Sequence, residues 1–193
     1  MTKEEFLNKV ENNPVIASVK NDAGLERALH SDVEIIFILY GDICTIPEIT
    51  KKISDAGKIS MVHLDLIGGL NNSREASVEY IRKFTTAEGI ITTKNNIIEK
   101  AAELGLRTVL RHFILDSMAL DNIQKQTRHN TVHPDLIEIL PGAIRSKVIR
   151  YISDIVKVPM IAGGLIADKE DVMYALNSGV LAVSTTREEI WDM

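Results

Sequence analysis

The chain has 193 residues, 45% hydrophobic and 25% charged, which fits one globular domain with a full core. Its formal net charge of −5 argues against electrostatic binding of nucleic acid over a broad surface but is compatible with a local basic patch. One cysteine excludes an internal disulfide, and no apolar run reaches the roughly 20 residues that cross a bilayer, so we expect no membrane partner.

Short β-branched runs alternate with longer segments of helical spacing along the chain. The N-terminus lacks the apolar stretch of a signal peptide, which favours a cytoplasmic protein. The runs comprise residues 15–19, 35–39, 61–64, 89–92, 108–110, 136–140, 160–162 and 180–183. Each run and the helix after it take roughly two dozen residues, near the minimum for a parallel crossover. This alternation predicts a compact α/β fold, a single (β/α)8 TIM-type barrel over residues 1–193, and fits it better than an open doubly wound sheet.

The segments between the runs carry helix start and stop signals. Gly105 ends one helix, and Asp168, with Asp171 three residues on, begins the seventh. We interpret Asp116 as the cap of the helix after strand five. Cys44 follows the second run, and we expect it to be a partly buried small residue. Residues 186–189 suggest a short final helix.

In a barrel of this kind the ligand site lies at the carboxyl ends of the strands, so polar residues there are candidates. Strands three to six contribute His63, Asp65, Lys94, Arg111 and Glu138. Strand seven ends in Gly163 and Gly164, and strand eight in Ser184, Thr185 and Thr186. Glycines admit a ligand close to the backbone, and hydroxyls and a helix N-terminus supply hydrogen-bond donors. The last two strand ends therefore predict a phosphate-binding site.

The charged candidates admit both a chemical and a structural interpretation. Asp65 and Glu138 could act as general acid and base or could bind ligand hydroxyls. They are equally compatible with a structural ion pair to Arg111 or Lys94 at the barrel mouth. His63 fits a core histidine as well as a ligand contact. Because no cysteine and histidine spacing resembles a zinc site, we predict no metal ligand.

Several motifs form a set that extends over nearly the whole chain. They are His63-Leu64-Asp65-Leu66-Ile67-Gly68-Gly69-Leu70, Gly89-Ile90-Ile91-Thr92-Thr93-Lys94, Arg111 with Phe113-Ile114-Leu115-Asp116-Ser117, Glu138-Ile139-Leu140-Pro141-Gly142, Pro159-Met160-Ile161-Ala162-Gly163-Gly164-Leu165-Ile166 and Ala182-Val183-Ser184-Thr185-Thr186. The set resembles the family of glycerol uptake operon antiterminator regulatory proteins, whereas phosphate-binding barrels in general share only the last two motifs. One stretch departs from the family pattern, since members often carry Gln-Arg and an apolar residue before the Phe, where this chain has Leu110-Arg111-His112-Phe113.

The resemblance implies a regulator without catalytic residues or cofactor. Such a protein binds the leader mRNA of glycerol-utilisation genes when its effector, glycerol 3-phosphate, is present, and so prevents transcription termination. The effector phosphate is expected on Gly163-Gly164 and Ser184-Thr185-Thr186, and its hydroxyls near Asp65, Glu138 or Arg111. A homo-oligomer is compatible with the sequence.

A small phosphosugar enzyme, such as an isomerase, lyase or aldolase, is the alternative function. Asp65 and Glu138 would then be acid and base, or Lys94 an amine nucleophile. For an RNA surface the sequence offers two basic groups, Lys51, Lys52 and Lys58, and Arg145, Lys147 and Arg150. A solvated helix face is the better explanation of either group.

Overall fold

The computed structural model describes residues 1–129 and 132–193. The strands in these ranges are β1 (Val15–Val19), β2 (Ile35–Ile38), β3 (Ile59–His63), β4 (Gly89–Thr92), β5 (Arg107–Phe113), β6 (Leu136–Leu140), β7 (Met160–Gly163) and β8 (Ala182–Thr185). The helices are α1 (Lys3–Asn12), α2 (Asp22–Leu29), α3 (Ile46–Asp55), α4 (Glu75–Phe84), α5 (Asn95–Glu103), α6 (Ser117–His129), α7 (Ser146–Val156) and α8 (Lys169–Asn177). Short 3₁₀ turns, Leu64–Leu66 and Glu188–Ile190, follow β3 and β8.

The strands form a closed parallel barrel in chain order. Each pairs with the next, and β8 closes the ring on β1, where Ile16 lies opposite Ser184. Helices α2 to α8 connect successive strands, as parallel pairing requires. The predicted (β/α)8 fold is confirmed.

Side chains of each strand alternate between the barrel interior and the surrounding helices. The interior layer is apolar and includes Ile16, Phe37, Met61, Ile91, Val109, Leu136, Ile161 and Ala182. Two residues further along five of these strands the inward positions are polar, namely Ser18, His63, Arg111, Glu138 and Ser184. The barrel is therefore filled by hydrocarbon at its centre and by polar groups at its carboxyl end.

Helix α1 occupies the opposite end of the barrel, and the sequence analysis did not predict it. Phe6 and Val10, one turn apart, are fully buried and pack with the interior apolar residues. The Thr2 side chain accepts from the Glu5 amide while the Glu5 carboxylate accepts from the Thr2 amide, a reciprocal cap. This helix covers the amino end of the barrel interior.

Element bounds differ from the predicted ones where polar residues lie inside strands. Strand β5 extends to Phe113 and β8 to Thr185, so Arg111 and Ser184 belong to strands rather than to loops. Asp116 accepts from the Ala119 amide and Asp168 from the Asp171 amide, which confirms both helix caps. The expectation for Cys44 was wrong, because its side chain is exposed in the loop before α3.

Candidate functional site

A buried ion pair spans the carboxyl end of the barrel. Arg111 and Glu138 lie opposite each other on β5 and β6, and the Arg111 Nε donates to Glu138 Oε2 at 2.7 Å. Glu138 Oε1 accepts from the Ser184 hydroxyl at 2.5 Å. Glu138 is fully buried and Arg111 is 8% exposed. Of the two sequence alternatives for Glu138, the structure shows the ion pair with Arg111.

Gly163 makes room for this network. A Cβ at this position would lie 2.5 Å from both Glu138 Oε1 and Ser184 Oγ, closer than non-bonded atoms approach. The residue is buried and does not line the open cavity described next. Its role in the site is therefore to admit the Glu138 carboxylate and the Ser184 hydroxyl.

A cavity of about 360 Å³ opens above the ion pair. Its lining comprises Ser18, Leu39, Arg111, Glu138, Leu140, Gly164, Leu165, Ile166, Ala167, Ser184, Thr185, Thr186 and Arg187. Most of these residues come from the ends of β6, β7 and β8 and the loops after them. The volume and the mixture of apolar walls with a few convergent polar groups are typical of a small-molecule site.

The turn between β7 and α8 has an unusual backbone. Gly164 has φ +73° and the next residue, Leu165, has φ +60° with 72% of its side chain exposed. A leucine in the left-handed region is strained, so surrounding contacts must hold it there. The Thr185 hydroxyl donates to the Ile166 carbonyl at 2.9 Å and accepts from the Arg187 amide at 3.1 Å. Thr185 thus ties the β7 and β8 ends of the cavity together.

Besides Gly163, three predicted residues lie outside the cavity lining, namely His63, Asp65 and Lys94. Asp65 accepts from the hydroxyls of Thr92 and Thr93 at 2.8 Å each and from the Thr93 amide at 2.9 Å. Both of its oxygens are engaged in holding the turn before α5. Lys94 begins that helix, and its side chain is exposed.

Sequence reasoning did not assign two of the polar residues that line the cavity. Arg187 directly follows the hydroxyl run of β8 and adds a second guanidinium to the site. Ser18 lies inside the first strand, β1, where the sequence analysis proposed no site residue. A signal was present for each, since both are polar residues at or near a strand end.

Residues 15–191 match the sequence profile of the family described as glycerol-3-phosphate responsive antiterminator. This chain belongs to that family.

Relatives of the antiterminator family align along nearly the full chain. The uncharacterised protein YgcP of Escherichia coli K12 is 42% identical over 188 residues, which cover 97% of this chain and 96% of YgcP. The glycerol uptake operon antiterminator regulatory protein of Listeria monocytogenes superposes with a TM-score of 0.85 at 30% identity, covering 93% of this chain and 95% of that one. A glycerol uptake operon antiterminator-related protein of Thermotoga maritima has a TM-score of 0.81 at 30% identity, with coverage of 94% and 99%.

Enzymes with similar barrels share only the fold with this antiterminator-family chain. The N-acetylmannosamine-6-phosphate 2-epimerase of Clostridium perfringens superposes with a TM-score of 0.67 at 13% identity, over 93% of this chain and 88% of the epimerase. Identity this low carries no information about the reaction, because one barrel architecture hosts many chemistries.

Burial lowers the pKa of two histidines in the barrel, His63 on β3 and His112 on β5. Burial, with a smaller contribution from the Arg111 guanidinium, lowers the pKa of His63 to about 4. Its Nδ1 is buried without a hydrogen-bond partner among the described residues. His112, on the outward face of β5, is half-buried, and burial lowers its pKa to about 4 as well.

These two histidines predict loss of stability in mild acid. Between their folded pKa of about 4 and the ordinary value of 6.5, the unfolded chain binds more protons than the folded chain. We therefore expect the free energy of unfolding to fall by about 2–4 kcal/mol from pH 7 to pH 5, with His63 contributing more than half-buried His112. Urea unfolding at the two pH values measures this. A His63→Asn, His112→Asn double variant with the same pH dependence as wild type would contradict the assignment.

The described residues contain no helix long and apolar enough to cross a membrane. They also contain no group of three or more His, Cys, Asp or Glu side chains arranged to hold a metal ion.

Proposed function

We propose that this chain is a glycerol 3-phosphate-responsive, RNA-binding transcription antiterminator that controls glycerol-utilisation genes. The observation that carries the proposal is a cavity with two guanidinium groups and a strained β7–α8 turn, in a chain of the antiterminator family. As a regulator of transcription it would act in the cytoplasm on leader mRNA.

The outer end of the cavity suits a phosphate group. Gly164 presents its backbone without a side chain, Thr186 offers a hydroxyl, and Arg187 offers a guanidinium. Hydrogen bonds from a charged donor to a phosphate oxygen are roughly twice as strong as neutral ones. We therefore place the phosphate between Gly164 and Arg187, with Thr185 as a positioning residue rather than a contact.

The inner end of the cavity suits the hydroxyl groups of glycerol. The Arg111 Nε donates to Glu138, which leaves the two Nη groups of Arg111 available to a ligand. Ser18 and Ser184 add hydroxyls at the same depth. The His63 Nδ1 lies outside the cavity lining and is buried without a partner in the described structure, so an ordered water would satisfy it. Polar groups in this arrangement favour a polyol over an apolar tail.

The same contacts argue against catalysis by this site. Both oxygens of Glu138 accept hydrogen bonds, so the carboxylate is committed to Arg111 and Ser184. Asp65 is committed to Thr92 and Thr93. None of the described residues lining the cavity is a lysine, so the amine nucleophile of an aldolase has no candidate there. We therefore assign binding rather than turnover.

Calorimetric titration tests the effector site. We expect glycerol 3-phosphate to bind roughly tenfold or more tightly than glycerol or inorganic phosphate, since each of these offers only part of the contacts. Arg187→Gln should weaken binding by about tenfold through loss of a charge-assisted hydrogen bond. Lys169→Gln removes an exposed charge from the adjacent helix outside the cavity and is the matched control. Equal affinities in the two variants would contradict the placement of the phosphate.

The enzyme alternative is tested with the same preparation. Glycerol 3-phosphate and triose phosphates should remain unchanged, by phosphorus NMR, after prolonged incubation with the protein. Turnover that disappears in Glu138→Gln would establish an enzyme instead.

A further inference from the structure

Cations on several helices of the barrel are neutralised locally. On α3, Lys51 pairs with Asp55 and Lys52 with Glu48. On α5, Lys100 lies within 4 Å of three glutamates. Lys58 donates to the backbone carbonyls of Ser31 and Val33. The first basic group of the sequence analysis is therefore committed to the protein itself.

Helices α6 and α7 are different. They pack against each other, and their outer faces carry four exposed cations, Lys125, Arg128, Lys147 and Arg150. None of these four makes an ion pair with any described residue. Residues three apart on a helix share a face, so each helix presents its two cations on one stripe.

The charge of the chain is distributed unevenly around this face. Residues 117–158 hold six of the 22 lysines and arginines and only four of the 27 acidic residues. Two of those four, Asp135 and Glu138, are buried in ion pairs with Arg107 and Arg111. The other two, Asp121 and Asp154, are exposed on α6 and α7, so residues 117–158 have a net charge of +2 while the rest of the chain has −7. This segment is therefore the part of the chain that favours a polyanion.

An aromatic side chain lies within the basic stripe of α7. Tyr151 is one turn from Lys147 and adjacent to Arg150, and 45% of its surface is exposed. Exposed rings bordered by cations are the platforms on which single-stranded bases stack. An RNA ligand would use both features of this face, because its phosphates would contact the cations and its bases would stack on the ring.

The face is connected to the effector cavity through the chain itself. Helix α6 follows β5, which carries Arg111, and α7 follows β6, which carries Glu138. The Gly142 amide, in the loop before α7, donates to the carbonyls of Gly163 at 2.5 Å and Gly164 at 2.9 Å. A ligand that reshapes the Gly164 turn thus acts directly on the segment that positions α7.

We infer that the outer faces of α6 and α7, with Lys125, Arg128, Lys147, Arg150 and Tyr151, bind the single-stranded leader RNA. This inference rests on the proposed function and assigns it a surface. Effector binding at the Gly164 turn and RNA binding on this face are then coupled through Gly142.

Paired charge removals on two helices test the surface. The probe is the leader transcript of glycerol-utilisation genes from the genome that encodes this chain, with glycerol 3-phosphate present. Lys147→Gln, Arg150→Gln should lower RNA affinity by about tenfold and reduce the slope of log affinity against log salt by roughly 1.4. Lys51→Gln, Lys52→Gln removes two charges from α3 and should change neither quantity. Both pairs are exposed, so thermal melts and glycerol 3-phosphate affinity should match wild type.

The outcomes separate this inference from the proposed function. Wild type that binds no leader RNA overturns the proposed function, whatever the variants do. If wild type binds RNA and both double variants bind with the wild-type affinity and salt slope, the assignment of the RNA surface to α6 and α7 is overturned. That result is expected if α6 and α7 contact an acidic protein instead. Tyr151→Ser, expected to weaken RNA binding by roughly 1–3 kcal/mol without changing the salt slope, tests stacking separately.

Discussion

Replacing Glu138 by alanine should lower the free energy of unfolding by about 3–5 kcal/mol, the largest stability effect we expect from one substitution in the site. The substitution leaves the Arg111 guanidinium in a position that is only 8% exposed without its counter-charge. It also removes the acceptor of the Ser184 hydroxyl. Urea unfolding at pH 7 measures the loss.

A double-mutant cycle identifies the cause of that loss. Arg111→Met together with Glu138→Ala removes both charges, so the pair should destabilise by clearly less than the sum of the two single variants. Additive losses would mean that the cost comes from packing alone. Because Arg111 also lines the cavity, each variant that carries Arg111→Met should lose glycerol 3-phosphate binding even where it remains folded.

Replacing Gly164 by aspartate should weaken glycerol 3-phosphate binding by about a hundredfold, the largest effect on affinity that we expect. A carboxylate beside the phosphate dianion repels it by about 1–4 kcal/mol per unit charge, between the values for water and for a protein surface. A Cβ at this position would be 3.6 Å from the Leu140 side chain, an ordinary contact, so space is available. The φ of +73° strains any residue other than glycine at this position, and the sequence alone does not reveal this backbone conformation.

Gly164→Asn is the matched control for this prediction. Asparagine and aspartate have nearly the same shape, and both tolerate the left-handed region better than other residues. The two variants therefore share the backbone cost and differ only in charge. Calorimetry should show the aspartate variant binding far more weakly than the asparagine variant; equal affinities would place the phosphate elsewhere.

The number and order of the strands could be predicted from the sequence because every strand contains a short, mostly apolar run with buried side chains. Two of the strand ends could not, because the runs 108–110 and 180–183 were taken to stop before the polar residues Arg111 and Ser184. Backbone pairing in a barrel continues past that point when the polar side chains satisfy each other, as Arg111 and Glu138 do across β5 and β6. Helix α1 escaped prediction although the apolar pair Phe6 and Val10, one turn apart, was a signal.

Only part of the candidate site could be predicted from the sequence, for a related reason. Gly164, Ser184, Thr185, Thr186, Arg111 and Glu138 line the cavity, as strand-end reasoning had placed them. His63, Asp65 and Lys94 do not line it, because the partners of a polar side chain depend on three-dimensional neighbours, as those of Asp65 depend on Thr92 and Thr93. Their assignment as ligand contacts has no support from the cavity geometry, and Gly163 supports the ion-pair network instead.

Ligand-gated RNA binding is the central claim, and a reciprocal titration tests it most directly. Leader RNA is titrated against wild-type protein with and without saturating glycerol 3-phosphate, and glycerol 3-phosphate is titrated with and without saturating RNA. Because coupling between two sites is reciprocal, both titrations should give the same enhancement, typically 5–150-fold for coupled sites, or about 1–3 kcal/mol. Tight effector binding with an RNA affinity that is identical in its presence and absence would contradict the account.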